Sequence, residues 1–295
     1  MISYEDFRKN LKYPLVGVAP LSAFADLPDN ENPLCLFPDA RSVLVLGKRL
    51  HRGSFRGMEE GSLWGRATRW LTEFDSVVRY IEKQGYECVP YTPLDADRMP
   101  QRAVRPGLCP PNKYRISIEY AAVAAGLGEI GYHGMFMSRE YGIRQALGML
   151  VTDMPITPGP GKNTADGNIC EQCLECARAC PLQAISLTQS RQLNWGDHSM
   201  RVGLINPLAC QACPNGACGD SKYFAGAEEL HYQVKNNQVL GDNSNQQLGG
   251  TLPNRLCAAC GRACIAHFEA KNPGNYHHAF RIREPWGFRP DEIKE

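Results

Sequence analysis

The run Cys170-x2-Cys173-x2-Cys176-x3-Cys180-Pro181 constrains this chain more than any other feature. Three cysteines at that spacing, in a turning loop, reach three corners of a 4Fe-4S cubane. The fourth, just before a proline, points toward a second cluster, as in the bacterial ferredoxin pattern. Paired C-x2-C units also make structural zinc sites, but a closed four-ligand zinc site does not account for the third cysteine together with Cys-Pro. The chain has 13 cysteines, and all except Cys35, Cys88 and Cys109 fall between Cys170 and Cys264. An odd count clustered in this way points to metal ligation rather than a disulfide framework. The three outliers read as small core hydrophobes.

A shorter run, Cys257-x2-Cys260-x3-Cys264, lacks one cysteine of the full pattern and the closing proline. The crossed arrangement then places Cys170, Cys173, Cys176 and Cys264 on cluster 1. Cluster 2 takes Cys180, Cys257 and Cys260 plus one ligand from elsewhere. Cys210, in Asn206-Pro207-Leu208-Ala209-Cys210, is the preferred choice. Cys213 and Cys218 compete for the place, and otherwise serve as thiols outside the clusters or in a small extra metal site.

Upstream, Leu15–Ala19 and Ser42–Leu46 are short valine-rich runs that suit buried strands, and 86–91 reads as a third. Apolar residues recur every three or four positions over 63–81, which predicts an amphipathic helix. The first half is therefore α/β. A Pro-Gly break near residue 158 opens a second unit, so two domains are expected, 1–160 and 161–295. The polar stretch 235–254 is expected to be a loop inserted between the cysteine runs. Gly126-x-Gly128-x-x-Gly131 nominally fits a dinucleotide fingerprint. The alanine-rich stretch before it favours helix where that motif needs a strand, so nicotinamide or flavin binding is not expected.

The segments Val16–Pro20, Ala40–Val45, Ala122–Gly131, Ser138–Gly142 and Gly148–Pro155, followed by the ferredoxin run, resemble the iron-sulfur family that contains epoxyqueuosine reductase and the reductive dehalogenases. The resemblance implies a nitroreductase-like α/β domain of corrinoid-binding type, followed by a bacterial-ferredoxin-like domain with two 4Fe-4S clusters. It implies cobalamin as a cofactor whose cobalt the clusters reduce. Gly126, Gly128, Gly131, His133, Gly134, Ser138 and Tyr141 are the candidate cofactor-binding residues, with glycine allowing close approach of main chain to the corrin. His133 is also a candidate metal ligand or proton donor. Arg139 and Arg144 read as solvated surface residues by default.

Where epoxyqueuosine reductases carry a proton-donating aspartate, the matching position is Asn112, and an amide is not an acid. Tyr114 and Tyr120 flank that position as candidate donors. The sequence after the second run is also short for the helical-repeat tail many of those enzymes carry. The expected function is a cytoplasmic reductase passing electrons from a ferredoxin or flavodoxin, through two clusters and a corrinoid, to a small organic substrate. The alternatives are an electron-transfer or activator protein without its own substrate, and epoxyqueuosine reductase acting on tRNA. A net charge of +1 offers no basic field for nucleic acid, so an RNA partner is not expected. No apolar run reaches the ~18 residues of a membrane span. The opening residues carry neither an apolar signal core nor twin arginines, hence the expectation of a cytoplasmic location.

Overall fold

The computed structural model describes residues 1–59, 74–91, 100–160, 168–195, 198–211, 232–235, 238–241, 256, 258–272, 274 and 278–280. Cys213, Cys218 and Cys257 lie outside them, as do positions 63–73 of the expected helix and 161–163 of the expected break.

The first half is a mixed α/β unit. Helix α1 (Tyr4–Lys9) starts at Ser3, whose Oγ accepts the Asp6 N–H. Strand β1 (Leu15–Ala19) leads through two short turns of helix to β2 (Ser42–Arg49), which is followed by α2 (Arg52–Glu59). Helix α3 (Asp75–Lys83) covers the described end of the predicted amphipathic stretch, and β3 (Cys88–Tyr91) matches the third predicted strand. Helix α4 (Ile118–Ala124) is capped by Ser117, which accepts the Tyr120 N–H. Two short strands, β4 (Glu129–Ile130) and β5 (Phe136–Met137), form a hairpin before the long β6 (Gln145–Thr152).

The sheet order is β1-β2-β6-β3, and every pairing is antiparallel. Alternation along β2 sorts its side chains: Val43 and Val45 face one core, Leu44 and Leu46 the other. On the second face lie Phe7 of α1 and Val77 and Ile81 of α3. On the first lie Ala121, Ala122 and Val123 of α4. Because both faces are covered, the strands read as continuous apolar runs. Phe74 presses onto the sheet over Gly148, where a Cβ would land 1.8 Å from its ring, so this strand position must be glycine.

The cysteine-rich half contributes α5 (Glu175–Arg178), a long hairpin of β7 (Ile185–Trp195) and β8 (His198–Ile205), α6 (Pro207–Gln211), a second hairpin of β9 (Tyr232–Lys235) and β10 (Gln238–Gly241), and α7 (Ala259–Lys271). Strand β10 falls within the stretch 235–254 expected to be an inserted loop, the rest of which, apart from Lys235, lies outside the described residues. Tyr-x-Val and Val-Leu flanking Asn236-Asn237 are a hairpin signal that the polar composition concealed. Met200 and Val202 of β8 pack with Val45, Met149 and Val151, so the cysteine-rich half leans on the sheet's own core.

Candidate metal centre

The loop that carries Cys170, Cys173 and Cys176 is held at its start by Glu129. One buried carboxylate oxygen accepts the N–H of Ile169 at 3.0 Å and of Cys170 at 2.7 Å. The chain then turns through left-handed Gln172 (φ 60°) and Leu174 (φ 64°) before α5 begins. Non-glycine residues in that region each cost on the order of 1–3 kcal/mol, a strain that persists where surrounding contacts hold it. Arg178 fastens the turn by donating to the Cys173 carbonyl at 2.8 Å.

Helix α7 packs against α5 and brings Cys264 to the same place. The Cys264 thiol is pushed well above its usual pKa, first by burial and then by Cys176, Cys170 and Cys173. The Cys176 thiol is pushed up to about 12 by burial, then by Cys170 and Cys173. Cys170 is also raised, mainly by burial. Such repulsion is felt only between near neighbours, which puts Cys264 in the neighbourhood of Cys170, Cys173 and Cys176; of the four, Cys176 is buried and the others are partly buried. Four thiolates there are unfavourable alone and favourable around iron, because metal coordination deprotonates a thiol outright. No disulfide joins any two of the described cysteines. Among the described residues, no group of three or more His, Cys, Asp or Glu side chains is arranged to hold a metal ion. A cubane spreads its ligands over four separate corners instead of drawing them onto one ion.

The described cysteines predicted for cluster 2, Cys180, Cys210 and Cys260, lie in or against one apolar cluster. Cys180 and Cys260 are buried there with Cys176, Ala177, Ala209 and Ala258, and Cys210 packs against it. The Cys180 sulfur accepts the Ala184 N–H at 3.2 Å.

The loop of the β4–β5 hairpin touches two of the cysteines predicted for cluster 1. The Tyr132 N–H donates to the Cys170 sulfur at 3.3 Å. His133 Nε2 lies 3.2 Å from the Cys264 sulfur. The Tyr132 hydroxyl donates to the Ser186 carbonyl at 2.9 Å, which ties this loop to β7. Gly128 and Gly131 are tight against the chain itself: a Cβ at Gly128 would fall 1.9 Å from the Met137 carbonyl oxygen, and one at Gly131 2.6 Å from the Met137 sulfur. Gly126 and Gly134 take positive φ in the turns on either side. Ser138 is fully buried, donating to Gln145 at 2.5 Å and accepting the Tyr141 N–H at 3.2 Å.

The candidate proton donors lie elsewhere. Tyr114 donates to the Cys35 carbonyl at 3.0 Å, and Tyr120 to the Ala23 carbonyl at 2.6 Å. Burial raises both phenols above their usual pKa, which makes them weaker acids. Asn112 sits in the turn Pro111–Lys113, its N–H donating to Pro100 at 3.2 Å. Cys35 and Cys88 pack against the two faces of the sheet, and burial pushes each thiol up to about 12, as inert core thiols should be.

Arg144 corrects an expectation. It is 3% exposed, not solvated. Its Nε donates to Glu269 of α7 at 2.6 Å, and it also bonds the Leu50 carbonyl. Arg52 pairs with the other oxygen of Glu269 and donates to the His278 carbonyl at 2.8 Å. Glu129, Tyr132 and Glu269 were not legible as site residues. The one local hint was an acid, Glu129, placed inside the apolar Gly-Leu-Gly-Glu-Ile-Gly run.

No family model matches the chain. It is similar to a tetrachloroethene reductive dehalogenase of Dehalobacter restrictus, 38% identical over 94 residues, which is 32% of this chain and 15% of that protein. The chain thus spans a small fraction of the curated relatives it matches. Among solved structures it is similar to a catabolic reductive dehalogenase (TM-score 0.46, 16% identity, 72% of this chain and 28% of that one). It is also similar to the epoxyqueuosine reductase of Bacillus subtilis (TM-score 0.43, 13% identity, 91% of this chain and 81% of that one). Among the described residues, no helix is long and apolar enough to cross a membrane.

Proposed function

We propose that this chain is an iron-sulfur reductase that passes electrons through two 4Fe-4S clusters to a corrinoid-centred site, where a small organic substrate is reduced. The observation that carries this reading is the approach of Cys264, from a distant helix, to the partly buried neighbourhood of Cys170, Cys173 and Cys176, because cysteines so far apart in sequence come together for a common ligand. Cluster 1 is assigned to those four and cluster 2 to Cys180, Cys210, Cys257 and Cys260. Residues 1–160 would form the nitroreductase-like half and 161–295 the two-cluster half. A ferredoxin or flavodoxin in the cytoplasm is the proposed electron donor.

The corrinoid rests on the sequence similarity to reductive dehalogenases. The close space at Gly128 and Gly131 is filled by Met137, Phe136 and His133, so these glycines serve chain packing and offer no cradle for a corrin. No step is therefore assigned to it. The protein's own part is to shield the cysteines partly from water and to hold Tyr132 N–H and His133 Nε2 against the Cys170 and Cys264 sulfurs. One observation favours the alternative of an electron carrier without its own substrate: Tyr114 and Tyr120 give their protons to backbone carbonyls, and an amide stands at Asn112.

Anaerobically purified protein is expected to hold about eight irons and about eight acid-labile sulfides per chain. Fewer than about six irons refutes the two-cluster assignment. Added cobalamin that stays bound in stoichiometric amount supports the reductase, and its persistent absence from the visible spectrum favours the carrier. Cys210→Ser should halve the iron, whereas Cys213→Ser and Cys218→Ser should leave it intact. The reverse pattern moves the fourth ligand of cluster 2 to the residue whose loss matters.

A further inference from the structure

We propose that His133 is a positioning residue for cluster 1: it donates its Nε2–H to the Cys264 sulfur, fixes that thiolate and makes the cluster easier to reduce. The inference rests on the cluster assignment above.

His133 is 1% exposed, and both ring nitrogens face specific atoms. Nδ1 accepts the Met135 N–H at 3.0 Å, so in the neutral ring the proton sits on Nε2. Nε2 lies 3.2 Å from the Cys264 sulfur across 131 residues of sequence, within reach of an N–H to sulfur hydrogen bond. The slot for the ring is made by Gly131: a Cβ there would stand 2.8 Å from Cε1 and 3.1 Å from Nε2. The neighbouring Tyr132 N–H meets the Cys170 sulfur at 3.3 Å. One hairpin loop therefore aims two N–H groups at two ligands of the same cluster.

The chemistry gives the direction. A cysteine-ligated cubane gains negative charge when it accepts one electron, and hydrogen bonds to its sulfurs stabilise the more negative state more. No bond breaks and the imidazole keeps its proton. An N–H donor to the Cys264 sulfur thus raises the reduction potential.

The test is a potentiometric titration of the full-length holoprotein with dithionite and mediators, followed by electron paramagnetic resonance, for wild type, His133→Phe, His133→Gln and Gly131→Ala. Phenylalanine keeps bulk and burial but has no N–H. It should lower the reduced-to-oxidised ratio of one cluster at the wild-type midpoint about tenfold, a shift of about 59 mV for one electron, while the other cluster stays put as internal reference. Glutamine, which retains an N–H, should recover most of the shift, and Gly131→Ala should shift in the same direction as phenylalanine by crowding the ring. Loss of that cluster in His133→Phe with retention in His133→Gln also supports the role. An unmoved midpoint in His133→Phe with both clusters present overturns it, as does loss of the cluster from both His133 variants, which would make the ring a ligand or a packing post. Wild-type protein that takes up no iron refutes the cluster assignment itself, and that is seen before any variant is measured.

Discussion

Alanine at Glu269 should lower the unfolding free energy by about 3–5 kcal/mol, measured by chemical denaturation under anaerobic conditions. The carboxylate is 8% exposed and is shared between Arg144, itself 4% exposed, and Arg52 at 17%. Removing it leaves two guanidinium groups close together in a largely dry site, and the desolvation already spent on Arg144 is no longer offset. The contact also joins distant elements, since Glu269 lies on α7, Arg144 just before β6 and Arg52 just after β2. The same variant should therefore lose iron faster to a chelator, because α7 carries Cys260 and Cys264. A change below about 1 kcal/mol, the level of an exposed ion pair, would show that this site is wetter than its burial indicates.

Serine at Cys176 should remove cluster 1 and cut bound iron from about eight to about four per chain, with the loss of one paramagnetic signal on reduction. A buried hydroxyl keeps its proton far more tenaciously than a thiol, so it does not replace the thiolate among three other ligands. Cys88→Ser is the matched control. Cys88 packs against the α1–α3 face of the sheet, far from the pocket in its packing partners, and that variant should keep all of its iron. Full iron in Cys176→Ser would remove this residue from the ligand set.

The sequence foretold those parts of the molecule whose cause is local. Leu15–Ala19 and Ser42–Leu46 declare themselves as strands because packing on both faces makes every side chain apolar. The cysteine runs read as ligand sets because ligand geometry imposes a short spacing, and Cys264 entered the proposed set because the second run echoes the first. The antiparallel order β1-β2-β6-β3 was not legible, since β2 meets β6 across about a hundred residues and nothing nearby records the pairing. Arg144 looked like a surface residue for the same reason: its partner Glu269 is 125 positions away. Gly128 and Gly131 showed that something must approach the main chain closely. They did not show what, and Met137 and His133 occupy that space. His133 was visible as a candidate, but the neighbour its Nε2 faces, Cys264, is 131 positions away and only the folded chain brings it there.

Helix α7 carries Cys260 and Cys264 one turn apart, each assigned to a different cluster. Four residues of α-helix rise about 6 Å, and that rise cannot change without breaking the helix's own hydrogen bonds. In the two-cluster assignment, the step an electron takes between the cubanes is thus gauged by a rigid ruler, not by loops. In that assignment, changes in the connection before α7 other than at Cys257 would leave the spacing of Cys260 and Cys264 untouched. With the two clusters in place, the outside of the chain would be able to diversify while the wiring stayed at fixed length.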